Sequence, residues 1–215
     1  MKFNKDMLLL YAVTDRSWVG RQSLLEQIED ALKGGVTVLQ LREKEMNEAE
    51  FVIEAVKVKE LCHRYGVPLI INDNLEVALK SGADGIHVGI EDMPVSEIRK
   101  RAPADFIIGA TCKTVEQAKA AETSGADYMG VGAVFPSPTK TNAIRLTNEQ
   151  LRDIVSSVSI PAVAIGGINY NNISQITGSK VSGVAVVSAI FGAEDITSAT
   201  CRLKEKAKAV VSGNS

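Results

Sequence analysis

Eight short runs of aliphatic and β-branched residues punctuate the chain, at positions 8–14, 36–42, 69–73, 85–89, 106–111, 128–134, 162–167 and 183–189. Each is apolar at nearly every position instead of at every second one. That pattern suits strands covered on both faces, as in a parallel sheet. The segments between them carry apolar residues at helical spacing. Leu24, Leu25, Ile28, Ala31 and Leu32 form one stripe, and Phe51, Val52, Ala55, Val56 and Val58 open another. Later stripes join Ile98 to Ala102, Ala118 to Ala121 and Leu151 to Ile154, and a long one closes the chain at 196–211. The interval 74–81 has room for only about two turns of helix.

Gly34-Gly35, Gly66, Gly82, Gly125 and Gly178 stand where helical segments hand over to strands, the place a left-handed C-cap is wanted. The phrase Ser81-Gly82-Ala83-Asp84-Gly85 returns as Ser124-Gly125-Ala126-Asp127-Tyr128, so one helix-to-strand turn is used twice. Eight strands alternating with eight helical segments predict an α/β fold, the (β/α)8 TIM barrel. No Pro- or Ser-rich linker and no run of charge divides residues 1–215, which read as a single domain. An open doubly wound sheet is the alternative, but no G-x-G-x-x-G follows the first strand.

Composition narrows the partners. With 215 residues, 45% of them apolar and 23% charged, the chain can bury a sizeable core. Its net charge of -2 leaves no basic surplus to neutralise phosphates along a duplex, so nucleic acid is not an expected partner. The three cysteines, Cys62, Cys112 and Cys201, lie too far apart for a zinc site or a disulfide framework, and fit a reducing compartment. The apolar run at 7–13 is too short to span a bilayer and lacks a small-residue cleavage site. A cytoplasmic protein with no membrane partner is expected.

In a barrel of this kind the chemistry sits at the C-terminal ends of the strands. Those positions hold Gln40, Arg42 and Lys44 after strand two, Asn72-Asp73-Asn74 after strand three, and Glu91 and Asp92 after strand four. Thr111 and Lys113 follow strand five, Gly166-Gly167 strand seven, and Val187-Ser188 strand eight. Strand six stops at Pro136, and Ser137-Pro138-Thr139-Lys140-Thr141 follows. Hydroxyls there can donate to a phosphorylated ligand and the lysine supplies a point charge. Asp73 and Asp92 end neighbouring strands. Their carboxylates either converge on one Mg²⁺, which takes oxygen ligands and keeps some of its waters, or cap the helices that follow. Arg42, Lys44 and Lys140 would face the same anion. Gly166-Gly167 and Val187-Ser188 stand where barrels hold a phosphate on backbone N–H groups, although a tight strand-to-helix turn also needs such glycines. No nucleophile–base pair is evident: His87 and Cys112 read as packed residues and His63 as a surface one. Two anion sites, one with a metal, suggest that two phosphorylated substrates are joined.

At these residues the chain resembles the thiamine-phosphate synthase family over nearly its whole length. The resemblance is carried jointly by Gln40-Leu41-Arg42-Glu43-Lys44, Ile71-Asn72-Asp73, His87-Val88-Gly89, Glu91-Asp92-Met93-Pro94 and Gly125-Ala126-Asp127-Tyr128. It continues through the 131–140 stretch, Ala164-Ile165-Gly166-Gly167-Ile168 and Val186-Val187-Ser188-Ala189-Ile190. It implies a Mg²⁺-dependent transferase that condenses 4-amino-2-methyl-5-pyrimidinylmethyl diphosphate with a thiazole phosphate, releasing diphosphate. Gln40, Leu41, Arg42, Glu43, Lys44, Asn72, Thr111 and Lys140 would hold the pyrimidine diphosphate. Arg42, Lys44, Lys140 and Thr111 would act catalytically, and Asp73 and Asp92 would bind Mg²⁺. Ser137, Pro138, Thr139, Gly167, Val187 and Ser188 would hold the thiazole phosphate. A homo-oligomer is compatible with the resemblance. Three departures stand out: Thr111 and Lys113 where the family usually has serine and histidine, Ile90 where glutamine is common, and no glycine in 141–146. The alternatives are a thiazole tautomerase-like relative and a non-catalytic phospholigand-binding barrel.

Overall fold

A computed structural model describes residues 2–20, 22–136 and 145–213. Strands β1 (Leu10–Val13), β2 (Val38–Leu41), β3 (Leu69–Asn72), β4 (Gly85–Val88), β5 (Ile107–Cys112), β6 (Tyr128–Gly132), β7 (Ala162–Ile165) and β8 (Gly183–Val186) pair in parallel, in chain order. β8 closes on β1, with Tyr11 beside Ala185 on one side and Val38 on the other. The closed eight-stranded barrel is the predicted fold, and closure leaves no unpaired edge.

Helices α1 (Leu24–Lys33), α2 (Glu48–Arg64), α3 (Leu75–Ser81), α4 (Val95–Arg101), α5 (Val115–Thr123) and α6 (Asn148–Ser156) follow the first six strands. Their starts are local in origin. Ser23 with Glu26 and Thr147 with Gln150 form reciprocal capping boxes on α1 and α6. After α3 the chain turns through Gly82 at φ +65°, a left-handed conformation that costs a side chain about 1–2 kcal/mol and glycine nothing.

Two expectations need correction. The connection between β7 and β8 holds a 3₁₀ turn, Ile173–Ile176, instead of an α-helix, while α7 (Ser188–Phe191) and α8 (Ile196–Ser212) both follow β8. The physical reason lies in Asn169-Tyr170-Asn171-Asn172. Asn172 Oδ1 accepts from Asn169 N and Asn169 Oδ1 from Asn171 N, so side chains satisfy the backbone groups a helix would have used. At the N-terminus, Lys5–Leu8 form a 3₁₀ turn capped by Asn4, so β1 starts later than the apolar run suggests. That turn sends Leu8 into the barrel and lays the Phe3 ring on Tyr128, with centroids 6.0 Å apart.

Two apolar layers result. The larger lies between strands and helices and includes Leu39, Leu41, Ile71, Ile86, Ile108, Met129 and Val184. The smaller fills the bore with Leu8, Tyr11, Val13, Val38, Ile70, Ile107, Tyr128, Val163 and Ala185. Among the described residues no helix is long and apolar enough to cross a membrane.

Candidate active site

The C-terminal rim collects polar groups from consecutive strands. Arg42, just past β2, donates its backbone N–H to Thr14 Oγ1 and sets its guanidinium 3.4 Å from Asp15 Oδ2. Burial pushes the Asp15 carboxyl up, but hydrogen bonds from the Ser17 hydroxyl and N–H, with the charges of Arg42 and Lys44, bring it below the ordinary carboxylate range. Thr14 and Asp15 therefore hold Arg42 in place. The reading of strand ends passed over the end of β1, where Thr-Asp was the available signal.

Asp73 follows β3 with φ +63°, in the left-handed region that aspartate visits more readily than most residues. The turn brings its carboxyl against that of Asp92. Burial, then the hydrogen bond and charge repulsion from Asp92, push Asp73 up to about 6, although Asn72 and Arg42 pull the other way. Asn72 Nδ2 donates to Asp73 Oδ2, and the Gly89 N–H donates to Asp92 Oδ2 at 2.6 Å.

The helix-capping alternative fails for both acids. Asn74 caps α3 by accepting from Val77 N, and α4 starts at Pro94 with no side-chain cap. Two carboxylates forced together, neither of them capping a helix, are the kind of donors a hard cation takes. Among the described residues no cluster of three or more His, Cys, Asp or Glu could hold a metal. A protein contribution of two carboxylates still suits Mg²⁺, which commonly takes one or two and fills its octahedron with phosphate oxygens and water.

Below this rim a hydrogen-bonded chain crosses the bore. Gln40 Nε2 donates to the Tyr11 hydroxyl at 2.8 Å, and the Tyr11 and Tyr128 hydroxyls are 2.8 Å apart. His87 Nδ1 lies 3.1 Å from the Tyr128 hydroxyl, and its Nε2 lies 3.0 Å from Thr111 Oγ1. Two strand glycines make the room. A Cβ on Gly109 would fall 2.2 Å from Tyr128 Cζ, and one on Gly130 would fall 3.2 Å from His87 Cε1.

Not every expected residue enters the site through its side chain. Leu41 is buried on the helix-facing side of β2. The Glu43 carboxyl bonds Arg16 at 2.7 Å while Arg16 also bonds Glu54. Burial pushes Glu43 up and Arg16 offsets part of that. Lys44, Lys113 and Ile90 are exposed, and Cys112 is buried with its thiol pushed up by desolvation to about 12, which fits packing.

At the other side of the mouth, Gly166 and Gly167 have φ +101° and +64°. Gly166 O accepts from Phe135 N, and a Cβ on Gly167 would lie 2.2 Å from Pro136 O. Asn172 Nδ2 clamps this loop by donating to Gly167 O at 2.9 Å. Val187 stands at the N-cap of α7, where Ile190 N donates to Val187 O, and Ser188 opens that helix just past β8. Ser137, Pro138, Thr139 and Lys140 lie outside the described residues, as does 141–144 of the stretch without glycine.

Residues 10–190 match the family model described as Thiamine monophosphate synthase. The chain is 46% identical to the thiamine-phosphate synthase of Ruminiclostridium cellulolyticum, over 91% of this chain and 93% of that one. With the thiamine-phosphate synthase of Alkaliphilus oremlandii it shares 44% identity, over 97% and 100%. Among solved structures it superposes on the thiamine phosphate pyrophosphorylase of Pyrococcus furiosus with TM-score 0.88 and 39% identity, covering 96% of this chain and 98% of that one. A 3-hexulose-6-phosphate synthase at 16% identity and TM-score 0.69 shares the fold alone, over 92% of this chain and 99% of that one.

Proposed function

The chain belongs to the thiamine monophosphate synthase family, transferases of thiamine biosynthesis that form thiamine phosphate from small-molecule substrates; on that premise we propose how its rim divides the work. The pyrimidinylmethyl diphosphate lies over β2–β5, with Gln40, Arg42, Lys44, Asn72 and Thr111 around it, and Lys140, which follows β6 in the sequence, is its further cation. Leu41 and Glu43 contribute through backbone and through the Arg16 network. Asp73 and Asp92 hold Mg²⁺, and Ser137, Pro138, Thr139, Gly167, Val187 and Ser188 hold the thiazole phosphate.

The thiazole nitrogen has no proton to lose when it attacks, so a general base is not required. The difficult event is departure of diphosphate. Mg²⁺, when bound, supplies charge neutralisation for that leaving group. Arg42, fixed by Asp15 and Thr14, stabilises the same developing charge without reorganising, and Lys44 and Lys140 add to its field. Electron release from the pyrimidine amino group toward the methylene carbon makes a dissociative path through a pyrimidinylmethyl cation reasonable. The site then needs cations and donors instead of a nucleophile, which matches its inventory.

The observation that carries this reading is the Asp73–Asp92 pair: two carboxyls in contact, neither capping a helix, beside Arg42. A thiazole tautomerase or a phospholigand sensor would have no use for it. The purified protein given both substrates and Mg²⁺ should release thiamine phosphate and diphosphate in equal amounts, and chelation of Mg²⁺ should stop it. Isomerised thiazole without joining, or binding without product, would overturn the proposal.

A further inference from the structure

The chain across the bore has a direction. An amide nitrogen can only donate, so Gln40 Nε2 fills a lone pair on the Tyr11 oxygen and the Tyr11 proton goes to Tyr128. The Tyr128 proton then goes to His87 Nδ1, the bare nitrogen of a neutral ring. In a neutral ring Nε2 would then carry the proton and donate to Thr111 Oγ1, 3.0 Å away. The Thr111 proton is left to point away from the chain, toward the rim.

Reversing one bond alone would set two protons against each other, or strand a buried hydroxyl without an acceptor. The chain therefore reverses only as a unit, with the Gln40 amide turned over. In the direction set by the Gln40 amide its ends are a carbonyl oxygen on Gln40 and an O–H donor on Thr111. Reversed, they would be an amide N–H₂ and bare hydroxyl lone pairs, which repel an anion. Burial pushes the Tyr11 and Tyr128 hydroxyls up, so both stay protonated and able to relay the direction.

We propose that Tyr11, Tyr128 and His87 are positioning residues that lock Gln40 as an acceptor for the exocyclic amino group and Thr111 as a donor to the diphosphate. Amino group and diphosphate, the two distinguishing features of the pyrimidine substrate, are thereby recognised by one device instead of two independent ones. The inference rests on the placement of the pyrimidine diphosphate over β2–β5. The three residues are separated widely along the chain, Tyr11 and Tyr128 by 117 positions, and meet only because the barrel closes.

The imidazole tautomer tests this directly, without substrate. The chain has two histidines, so ¹⁵N-histidine spectra at mildly alkaline pH contain two ring systems, and His63→Gln identifies the exposed one. His87 should show a bare Nδ1 and a protonated Nε2, and Tyr128→Phe should convert it to a tautomer mixture. A protonated Nδ1 in the unaltered protein, or an unchanged tautomer in Tyr128→Phe, overturns the proposal. Tyr11→Phe, one bond further away, should loosen the same signal and guards against a single misfolded variant.

Kinetics supply the second arm. Tyr128→Phe should raise KM for the pyrimidine diphosphate about tenfold, the scale of one net hydrogen bond, and leave KM for thiazole phosphate within about twofold. On a Thr111→Val background the same change should add less than about twofold; a full tenfold there overturns the coupling. If the tautomer is as expected but Thr111→Val leaves the pyrimidine KM untouched, the orientation of the chain is supported and the assignment of diphosphate to Thr111 is what fails.

Discussion

From β2 to β5 the rim ends in ionisable and amide side chains, whereas at β7 and β8 it ends in Gly166-Gly167 and Val187-Ser188, in segments without a charged residue. One side offers Arg42, Asp73 and Asp92, held by Asp15, Thr14, Asn72 and the Gly89 N–H. The other is a glycine loop that Asn172 clamps. On the proposed assignment of ligands, the contrast follows from what each must do. A leaving diphosphate gains charge during reaction and profits from preorganised cations, while a phosphate that only anchors its substrate needs donors of fixed geometry. Substitutions of the charged groups on the first side should therefore lower kcat, and those on the second should raise the KM of one substrate.

The largest effect is expected on the charged side. Asp92→Ala, and equally Lys140→Ala, should lower kcat by about two to three decades, the scale of losing a preorganised charge partner. Near-normal turnover in either would erase the division between the two sides. On the glycine side, Gly167→Ala should raise KM for thiazole phosphate about tenfold or more and spare KM for the pyrimidine diphosphate. Its φ of +64° alone costs a side chain roughly 1–2 kcal/mol, and Pro136 O blocks the added carbon. Equal KM changes for both substrates would show that the two sides do not work separately.

The acid pair adds a pH dependence that comes from the protein's own side chains, of which the glycine loop has no ionisable one. Asp73 titrates at about 6 in the folded protein against 3.8 ordinarily, so the folded state holds an extra proton between those values. In metal-free protein the stability this contributes below pH 4 should be lost as pH rises through about 6. Mg²⁺ competes with the same proton, so its affinity should weaken below pH 6 by up to about tenfold per unit. A pH-independent Mg²⁺ affinity between 4 and 7 would remove Asp73 from the ligand set. The smallest effect is at Thr111→Ser, which keeps the hydroxyl that bonds His87 and should leave both KM values nearly unchanged. A large loss would assign a role to the methyl group.

The barrel could be read from the chain because the buried strands are apolar on both faces and because α1, α2, α3 and α5 are each followed by a glycine in the left-handed region, Gly35, Gly66, Gly82 and Gly125. The gathering of Gln40, Arg42, Asn72, Asp73, Asp92 and Thr111 at one end of the barrel could be read because strand ends mark one rim of such a fold. The Tyr11–Tyr128–His87 chain could not, since an inward tyrosine on an apolar strand looks like core, and its partner is chosen by barrel closure and not by local spacing. Asp15 escaped for a related reason: its duty is to Arg42, a residue on the next strand. The missing seventh helix turned on side-chain bonds within Asn169-Tyr170-Asn171-Asn172, which the weak apolar spacing of that interval did not reveal.

The most direct test of the central claim is a calorimetric titration of Mg²⁺ into the protein in the presence of diphosphate, repeated with Asp73→Asn and Asp92→Asn. Saturable binding that either substitution weakens by at least about tenfold is the expected result. Unchanged affinity in both variants would contradict it, because the two carboxyls would then meet at the rim for some purpose other than holding a cation.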